Sequence, residues 1–311
     1  MRWVRRSGEQ LGPPADTFAE VFMKKVLGLM ATVSLLVWAL GCASSKQLGP
    51  LNGGTGGGGG NSATMASGNW SFTTSGGTNG PLFMGGQLNA SGTSISGNLI
   101  VVGQQGSGFT ISSASSPMAV TGSTSNGTIT MTGVIASSTI TITFTGQSGS
   151  GLTTLDGGTY TVAGGTDAGD AGTVSGAIAS DFSGTWQGSE PLTAGVMTVQ
   201  FTESTTPNTT PSRIGTFALT GSGTGVTFSG VTGCAVTGTL DPALSFTAGS
   251  IVYMKIDTID QTVPGHLIFL GFADSPTTPT TLSGGGYIYG GGSSCMLQND
   301  SFQHPISLTK Q

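Results

Sequence analysis

Few residues of this chain have side chains suited to covalent, metal or acid–base chemistry, and three of them are cysteines. Cys42 follows an apolar segment near the N-terminus, whereas Cys234 and Cys295 lie far downstream. Two cysteines left over in an exported domain are typical of a disulfide. We therefore predict a bridge between Cys234 and Cys295, which closes a loop of about 60 residues and contributes roughly 4 kcal/mol to stability in the chain-entropy description.

Metal binding and catalysis are the alternatives for the polar residues. Two thiolates could hold a metal ion, but His266 and His304 stand at no metal-ligand spacing. Acyl transfer needs a nucleophile, a base and an orienting acid, and we expect His266 to be an ordinary strand residue and His304 a loop residue. Asp167 and Asp170 are too sparse for a calcium loop, although paired carboxylates of glycosidase type stay open because their spacing is spatial. The sequence thus indicates no catalytic residue, no metal site and no cofactor.

The segment before Cys42 is organised like an export signal. Lys24-Lys25 precede the apolar stretch Val26–Gly41 of 16 residues, which is short for a membrane span of about 20 residues but suits a signal-peptide core. Its end, Ala39-Leu40-Gly41-Cys42, resembles the lipobox of Gram-negative bacterial lipoproteins. This resemblance implies that Cys42 is acylated and becomes the mature N-terminus. An ordinary signal peptide with a chance cysteine is the alternative.

The residues around the signal predict where the protein resides. We assign residues 1–41 to the signal peptide. Within this range Met23 is the natural initiator, because Met-Lys-Lys and the apolar core that follows form a complete signal without the preceding residues. Cys42 is followed by Ala43 and Ser44 and not by Asp, which by resemblance to lipoproteins implies the outer membrane. The body would then face the periplasm or the outside. Residues 42–66 are interpreted as the lipidated cysteine and a Gly-rich tether.

The charge balance excludes one class of partner. Only 7% of the residues are charged, whereas the chain contains 55 glycines, 47 threonines and 38 serines. Four of the nine Lys and Arg and eleven of the fourteen Asp and Glu follow residue 41, so the mature side chains have a net charge of −7. Four cations cannot form a basic patch for nucleic acid. We expect the membrane to be reached through acyl chains, and protein partners stay unassigned.

Two copies of one unit follow the tether. Trp70 and Trp186 stand in matching Ser-Gly-x-Trp settings 116 residues apart, and Tyr160 and Tyr287 match at an offset of 127. The alignment pairs Gly133 with Gly249 and places one insertion in the second copy, between residues 250 and 265. Gly, Ser and Thr bias could produce matching glycines, but not matching Trp and Tyr. The copies are assigned to residues 67–180 and 182–311.

Each copy has the period-two pattern of half-buried strands. The stretches Thr128–Thr132 and Thr139–Thr145 alternate apolar residues with threonine, and turn signals recur about every 8–12 residues. The Gly-x-Trp motifs ending at Trp70 and Trp186 resemble the first strand of lipocalin or calycin barrels. That resemblance implies that each Trp closes one end of a barrel, although the chain has no Arg on a late strand to pack over it.

These features predict an all-β protein with two tandem antiparallel β-meanders of eight to ten strands. Each meander is a lipocalin-like barrel or an open sandwich, and a Gly-rich β-solenoid is a further alternative. For function, we expect an outer-membrane-anchored lipoprotein that acts as a non-enzymatic envelope module. The alternative is a lipocalin-like carrier of a small hydrophobic ligand, with an enzyme as the third hypothesis.

Overall fold

The structure, a computed structural model, describes residues 63–103, 117–165, 167–189, 196–227, 235–258, 266–289 and 304–311. Within these ranges the chain consists of strands, turns and short loops. No helix in this described part is long and apolar enough to span a bilayer. The segment 1–41, the glycine run 53–60 and the cysteines Cys42, Cys234 and Cys295 lie outside the described residues.

The first copy folds into a closed barrel of eight strands, which are β1 (Gly68–Ser75), β2 (Leu82–Ser91), β3 (Ser94–Gly103), β4 (Met118–Ser125), β5 (Thr128–Ile135), β6 (Ser138–Phe144), β7 (Thr154–Ala163) and β8 (Ala171–Ile178). Strands adjacent in sequence pair antiparallel from β1 to β8. The ring closes because β1 also pairs with β8, where Trp70 lies opposite Ile178. Closure leaves this sheet without a free edge.

The second copy closes in the same way, from β9 (Gly184–Ser189), β10 (Val196–Pro207), β11 (Phe217–Thr227), β12 (Ala235–Leu240), β13 (Phe246–Ala248), β14 (Ile251–Thr258), β15 (His266–Ala273), β16 (Thr281–Tyr289) and β17 (His304–Lys310). Strand β17 pairs with β9, and β10 pairs with both β9 and β11, so eight of the strands form a ring. The short β13 pairs with β11 and β14. The predicted all-β fold with two tandem barrels is confirmed, and the open sandwich is excluded.

The additional element of the second copy differs from the alignment in its position. Gly133 lies within β5, but Gly249 lies in the turn between β13 and β14, with a φ of 56°. The extra strand β13 therefore precedes Ser250, whereas the alignment placed the insertion after it. A match of one glycine with another carries little information in so Gly-rich a chain. His304 was also expected in a loop, but it is the first residue of β17.

Alternating residues form the strands because one face of each is buried. In β6 the side chains of Ile140, Ile142 and Phe144 point into the barrel, while Thr139 and Thr141 are partly exposed on the outside. Apolar and hydroxyl-bearing β-branched residues both suit a pleated sheet. The threonine content of the chain thus supplies the solvent-facing side of the strands.

The interior of the first barrel is filled by its own side chains. Trp70 and Phe72 stack with their ring centroids 5.6 Å apart, and both are fully buried. Glycines face the rings from neighbouring strands, because a Cβ atom at Gly176 would lie 2.5 Å from a Phe72 ring carbon and one at Gly158 equally close to Phe144. Such ring-on-glycine contacts leave no room for a further side-chain atom, as in a close-packed core.

The two barrels meet through apolar side chains on their outer faces. Ile100 and Val102 of β3 belong to a buried cluster with Phe246 and Ile251 of the second barrel. Beside this cluster, Phe83 and Phe272 stack across the interface with centroids 4.2 Å apart. This contact accounts for four consecutive buried residues at 99–102, since alternate residues face the barrel core and the second barrel.

Backbone atoms approach closely at the same interface. The side-chain oxygen Oδ1 of Asn69 accepts a hydrogen bond of 2.7 Å from the Gly249 amide, and Ser71 Oγ donates to Ser250 Oγ at 2.8 Å. Gly85 lies against the β13–β14 turn so closely that a Cβ atom there would be 1.9 Å from the Ala248 carbonyl oxygen. The extra strand of the second copy is therefore part of the docking surface for the first barrel.

Candidate functional site

One end of each barrel is covered by the residues that precede its Trp strand. We call residues 63–67 the first strap and residues 179–183 the second strap. The Thr64 amide donates to the Gly149 carbonyl at 3.0 Å, and the Ser180 amide donates to the Pro276 carbonyl at 2.8 Å. The two donors are 116 residues apart and the two acceptors 127, which are the offsets of the internal repeat. The strap is thus a repeated structural element of the fold.

The straps hold the two tryptophans that the lipocalin resemblance predicts to close the barrel ends. Trp70 Nε1 donates to the Ala66 carbonyl at 3.0 Å, and Trp186 Nε1 donates to the Phe182 carbonyl at the same distance. Both indole rings are 0% exposed. Residue 66 belongs to the segment interpreted as tether, yet Ala63 and Met65 of the first strap are buried with the core of the first barrel.

A cation lies over one of the tryptophans. Lys310 of the last strand pairs with Trp186, and its Nζ is 5.4 Å from the ring centroid, a favourable cation–π geometry. The lipocalin resemblance predicts an arginine over the ring, and this lysine was not among the predicted site residues. At the corresponding position of the first barrel, Ile178 lies opposite Trp70, so the cation is specific to the second copy.

A buried carboxyl group fixes the second strap to its barrel. Met197, Val199 and Phe201 form the inward row of β10, and Glu203 occupies the next inward position with 8% exposure. Its Oε2 accepts a hydrogen bond of 2.8 Å from the Phe182 amide, and its Oε1 accepts one from Thr247 Oγ1. The sequence signal for this site is an acid that continues an apolar row, and the sequence predictions did not include it.

Burial is the main influence on the ionisation of Glu203. Removal from water raises its pKa to about 7, although the hydrogen bonds from the Phe182 amide and the Thr247 hydroxyl act in the opposite direction. The neighbouring carboxyl group of Asp181, on the strap, raises the pKa further. Glu203 can therefore take up or release a proton at neutral pH. We take Glu203 and the neighbouring Asp181 as the candidate site, because a carboxyl group with a raised pKa is typical of a functional site.

The opposite end of the first barrel is closed by a different carboxyl group. Asp170, 3% exposed, accepts hydrogen bonds from the Thr78 amide at 2.7 Å and from the Tyr160 hydroxyl at 2.9 Å. Burial opposes its ionisation, but these hydrogen bonds outweigh burial and hold its pKa below the ordinary value. Asp167 accepts from Asn79 Nδ2 at 3.1 Å. Both acids lie in the loop between β7 and β8 and bind the loop between β1 and β2. Their role is therefore structural.

The remaining sequence predictions concern the cysteines, metal binding and the histidines. The disulfide of Cys234 and Cys295 and the lipid attachment at Cys42 stay predictions, since these residues lie outside the described ranges. Among the described residues, no three His, Cys, Asp or Glu side chains are grouped so that they could hold a metal ion. His266 is the first residue of β15, where it pairs with Asp257 and Tyr289.

Comparisons with known proteins give no match. No protein-family model matches the chain, and no curated protein or solved structure is significantly similar to it. Its function therefore has to be inferred from its own residues.

Proposed function

We propose that the chain is a lipoprotein of the bacterial outer membrane, anchored by acylation of Cys42, whose paired barrels act as a non-enzymatic module of the cell envelope. The anchoring part rests on the lipobox-like sequence that ends at Cys42. The proposal that the barrels form a non-enzymatic module rests on their filled interiors and on the contact between the two barrels. Acyl chains supply the membrane affinity that a body with a net charge of −7 lacks.

The filling of the barrels is the observation that carries the non-enzymatic, non-carrier part of the proposal. Carriers with eight-stranded barrels keep a cavity in the barrel for one small ligand. In the first barrel, that space is taken up by the rings of Trp70, Phe72, Phe144 and Tyr160, which are all at most 1% exposed. In the second, Phe182, Trp186, Phe201 and Phe269 are similarly buried. A hydrophobic ligand would have to displace these side chains.

The engagement of the carboxyl groups supports the same proposal. Both oxygens of Glu203 accept hydrogen bonds from the protein itself, and the strap covers the group. Asp170 is engaged in the same way by Thr78 and Tyr160. A general acid or base has to reach a substrate atom within hydrogen-bond distance. These groups instead stabilise the ends of the barrels.

Replacement of Cys42 by serine tests the anchor. In a Gram-negative host, wild-type protein is expected to sediment with the outer membrane and to require detergent for release. Cys42→Ser removes the acylated thiol, so nearly all of the protein is expected in another fraction, because no other segment of the mature chain is proposed to bind lipid. Immunoblots of separated membranes and soluble fractions measure this distribution. Asn61→Ser, which introduces a serine into the same Gly-rich segment without touching a cysteine, is the control and should stay in the outer membrane; equal membrane association of Cys42→Ser would refute the anchor.

A further inference from the structure

The carboxyl group of Glu203 lies where three parts of the second barrel meet. It extends from β10, it accepts the Phe182 amide of the second strap, and it accepts the Thr247 hydroxyl of β13. The same strap residue, Phe182, is fully buried and its carbonyl accepts the Trp186 indole N–H. Glu203 therefore binds the backbone amide of Phe182, and Trp186 binds the backbone carbonyl of the same residue.

The charges around Glu203 favour its protonated form. The side chain that acts on it electrostatically is the carboxyl group of Asp181, on the strap. Its hydrogen-bond donors, an amide and a hydroxyl, are uncharged. Strands β9, β11 and β13 contain no titratable residue. The nearby cations are engaged elsewhere, since Lys310 of β17 lies over the Trp186 ring and Arg213 lies over the Phe246 ring. Deprotonation of Glu203 therefore places a negative charge beside the Asp181 carboxyl group, and the groups that hydrogen-bond to Glu203 supply no compensating cation.

We propose that Glu203 is a pH-sensitive latch, whose deprotonation releases the second strap and opens that end of the second barrel. In the protonated latch, the hydroxyl of Glu203 can donate to the Asp181 carboxylate. In the ionised latch, the two carboxylates repel each other, and Glu203 gains water by moving away from Phe182. The indole N–H of Trp186 then loses its partner in the strap. The proposal does not depend on membrane anchoring.

The direction of the pH effect follows from proton linkage. Well below its ordinary pKa of 4.5, Glu203 is protonated in both the closed and the open form. The opening equilibrium is then independent of pH and at its lowest value, so the closed form is most favoured there. As the pH rises towards the raised pKa of about 7, the open form releases its proton more readily than the closed form. The opening equilibrium is therefore expected to increase on the order of 100-fold between pH 4.5 and pH 8.

The first strap provides a control within the same chain. It covers the end of the first barrel with equivalent hydrogen bonds to Gly149 and to Trp70, but its residues 63–67 contain no acid. Hydrogen exchange of the full chain, resolved by mass spectrometry and corrected for the intrinsic effect of pH, compares peptides from the two straps. We expect the second strap to lose protection between pH 5 and pH 8.5, and the first strap to keep it.

Two variants separate the latch from general loosening. Glu203→Gln keeps the shape but cannot ionise, so its second strap should stay protected at pH 8.5. Asp181→Asn, at an exposed position, removes the charge that repels ionised Glu203 and brings the closed-form pKa of Glu203 nearer its ordinary value, so the second strap should lose less protection at pH 8.5 than in the wild type. The proposal is wrong if wild-type protection of the second strap is independent of pH, if both straps respond alike, or if Asp181→Asn loses as much protection at pH 8.5 as the wild type. The last two results decide the matter even if Glu203→Gln does not fold.

Discussion

Gly85→Val is expected to destabilise the protein by about 3 kcal/mol or more, at the upper end of the cost of overpacking. Gly85 faces the second barrel, where a Cβ atom would lie 1.9 Å from the Ala248 carbonyl oxygen and 2.7 Å from the Gly249 amide nitrogen. These are backbone atoms of a turn that Asn69 also holds by a hydrogen bond. The turn therefore cannot yield as a flexible side chain would, and the barrels have to separate or shift.

Urea denaturation followed by circular dichroism measures this cost. Ser91→Val is the matched control, since it adds a β-branched residue at an exposed position of the same strand, and we expect a change within about 0.5 kcal/mol. A loss of less than about 0.5 kcal/mol for Gly85→Val would show that the barrels do not depend on this contact.

Trp186→Ala is expected to cost about 3–5 kcal/mol, the range for removal of a fully buried aromatic side chain. The ring stacks on Phe201 with centroids 6.2 Å apart and an interplanar angle of 5°, and its N–H holds the second strap at Phe182. The substitution removes core volume, the strap hydrogen bond and the contact with Lys310 together. Trp186→Phe keeps most of the volume and should lose only about 1–2 kcal/mol through the missing hydrogen bond.

The shape of the same denaturation curve tests the coupling of the barrels. Because the barrels share the buried cluster around Phe246 and Ile251, Trp186→Ala should shift one cooperative transition to lower urea. A two-step curve whose second step stays at the wild-type midpoint would instead mean that the first barrel unfolds independently.

The strands and the repeat could be predicted because their signals are local. Alternation in Thr139–Thr145 corresponds to β6, and the two Trp settings correspond to matching straps and first strands. Closure could not be predicted from such signals, since the pairing of β1 with β8 joins residues about a hundred positions apart in sequence. A sandwich with the same strands would have the same local pattern.

The contact between the barrels was the largest unpredicted feature. The four apolar residues of 99–102 carry a signal for it, because a half-buried strand should alternate there. The docking strand β13 could not be recognised, as the three residues Phe246–Ala248 are too few to show a period. Glu203 was overlooked for a related reason, because its environment depends on Thr247 and Phe182, which are distant in sequence.

The interface also distinguishes the two copies. The outer face of the first barrel offers Phe83, Ile100 and Val102, which pack against the second barrel. On the second barrel, the corresponding strands β10 and β11 carry the outward residues Gln200 and Thr220, which are exposed. The two barrels therefore contact each other through unlike surfaces, and the pair is not a symmetric dimer of domains.

The intact mass of the protein, released from the outer membrane under native conditions, decides whether it is an acylated lipoprotein with filled barrels. We predict a polypeptide that begins at Cys42, carries acyl chains on that residue and has no bound small molecule. An unmodified Cys42, or a chain that still contains residues 24–41, would contradict the lipoprotein. A stoichiometric hydrophobic ligand released on unfolding would contradict the filled, non-carrier barrels.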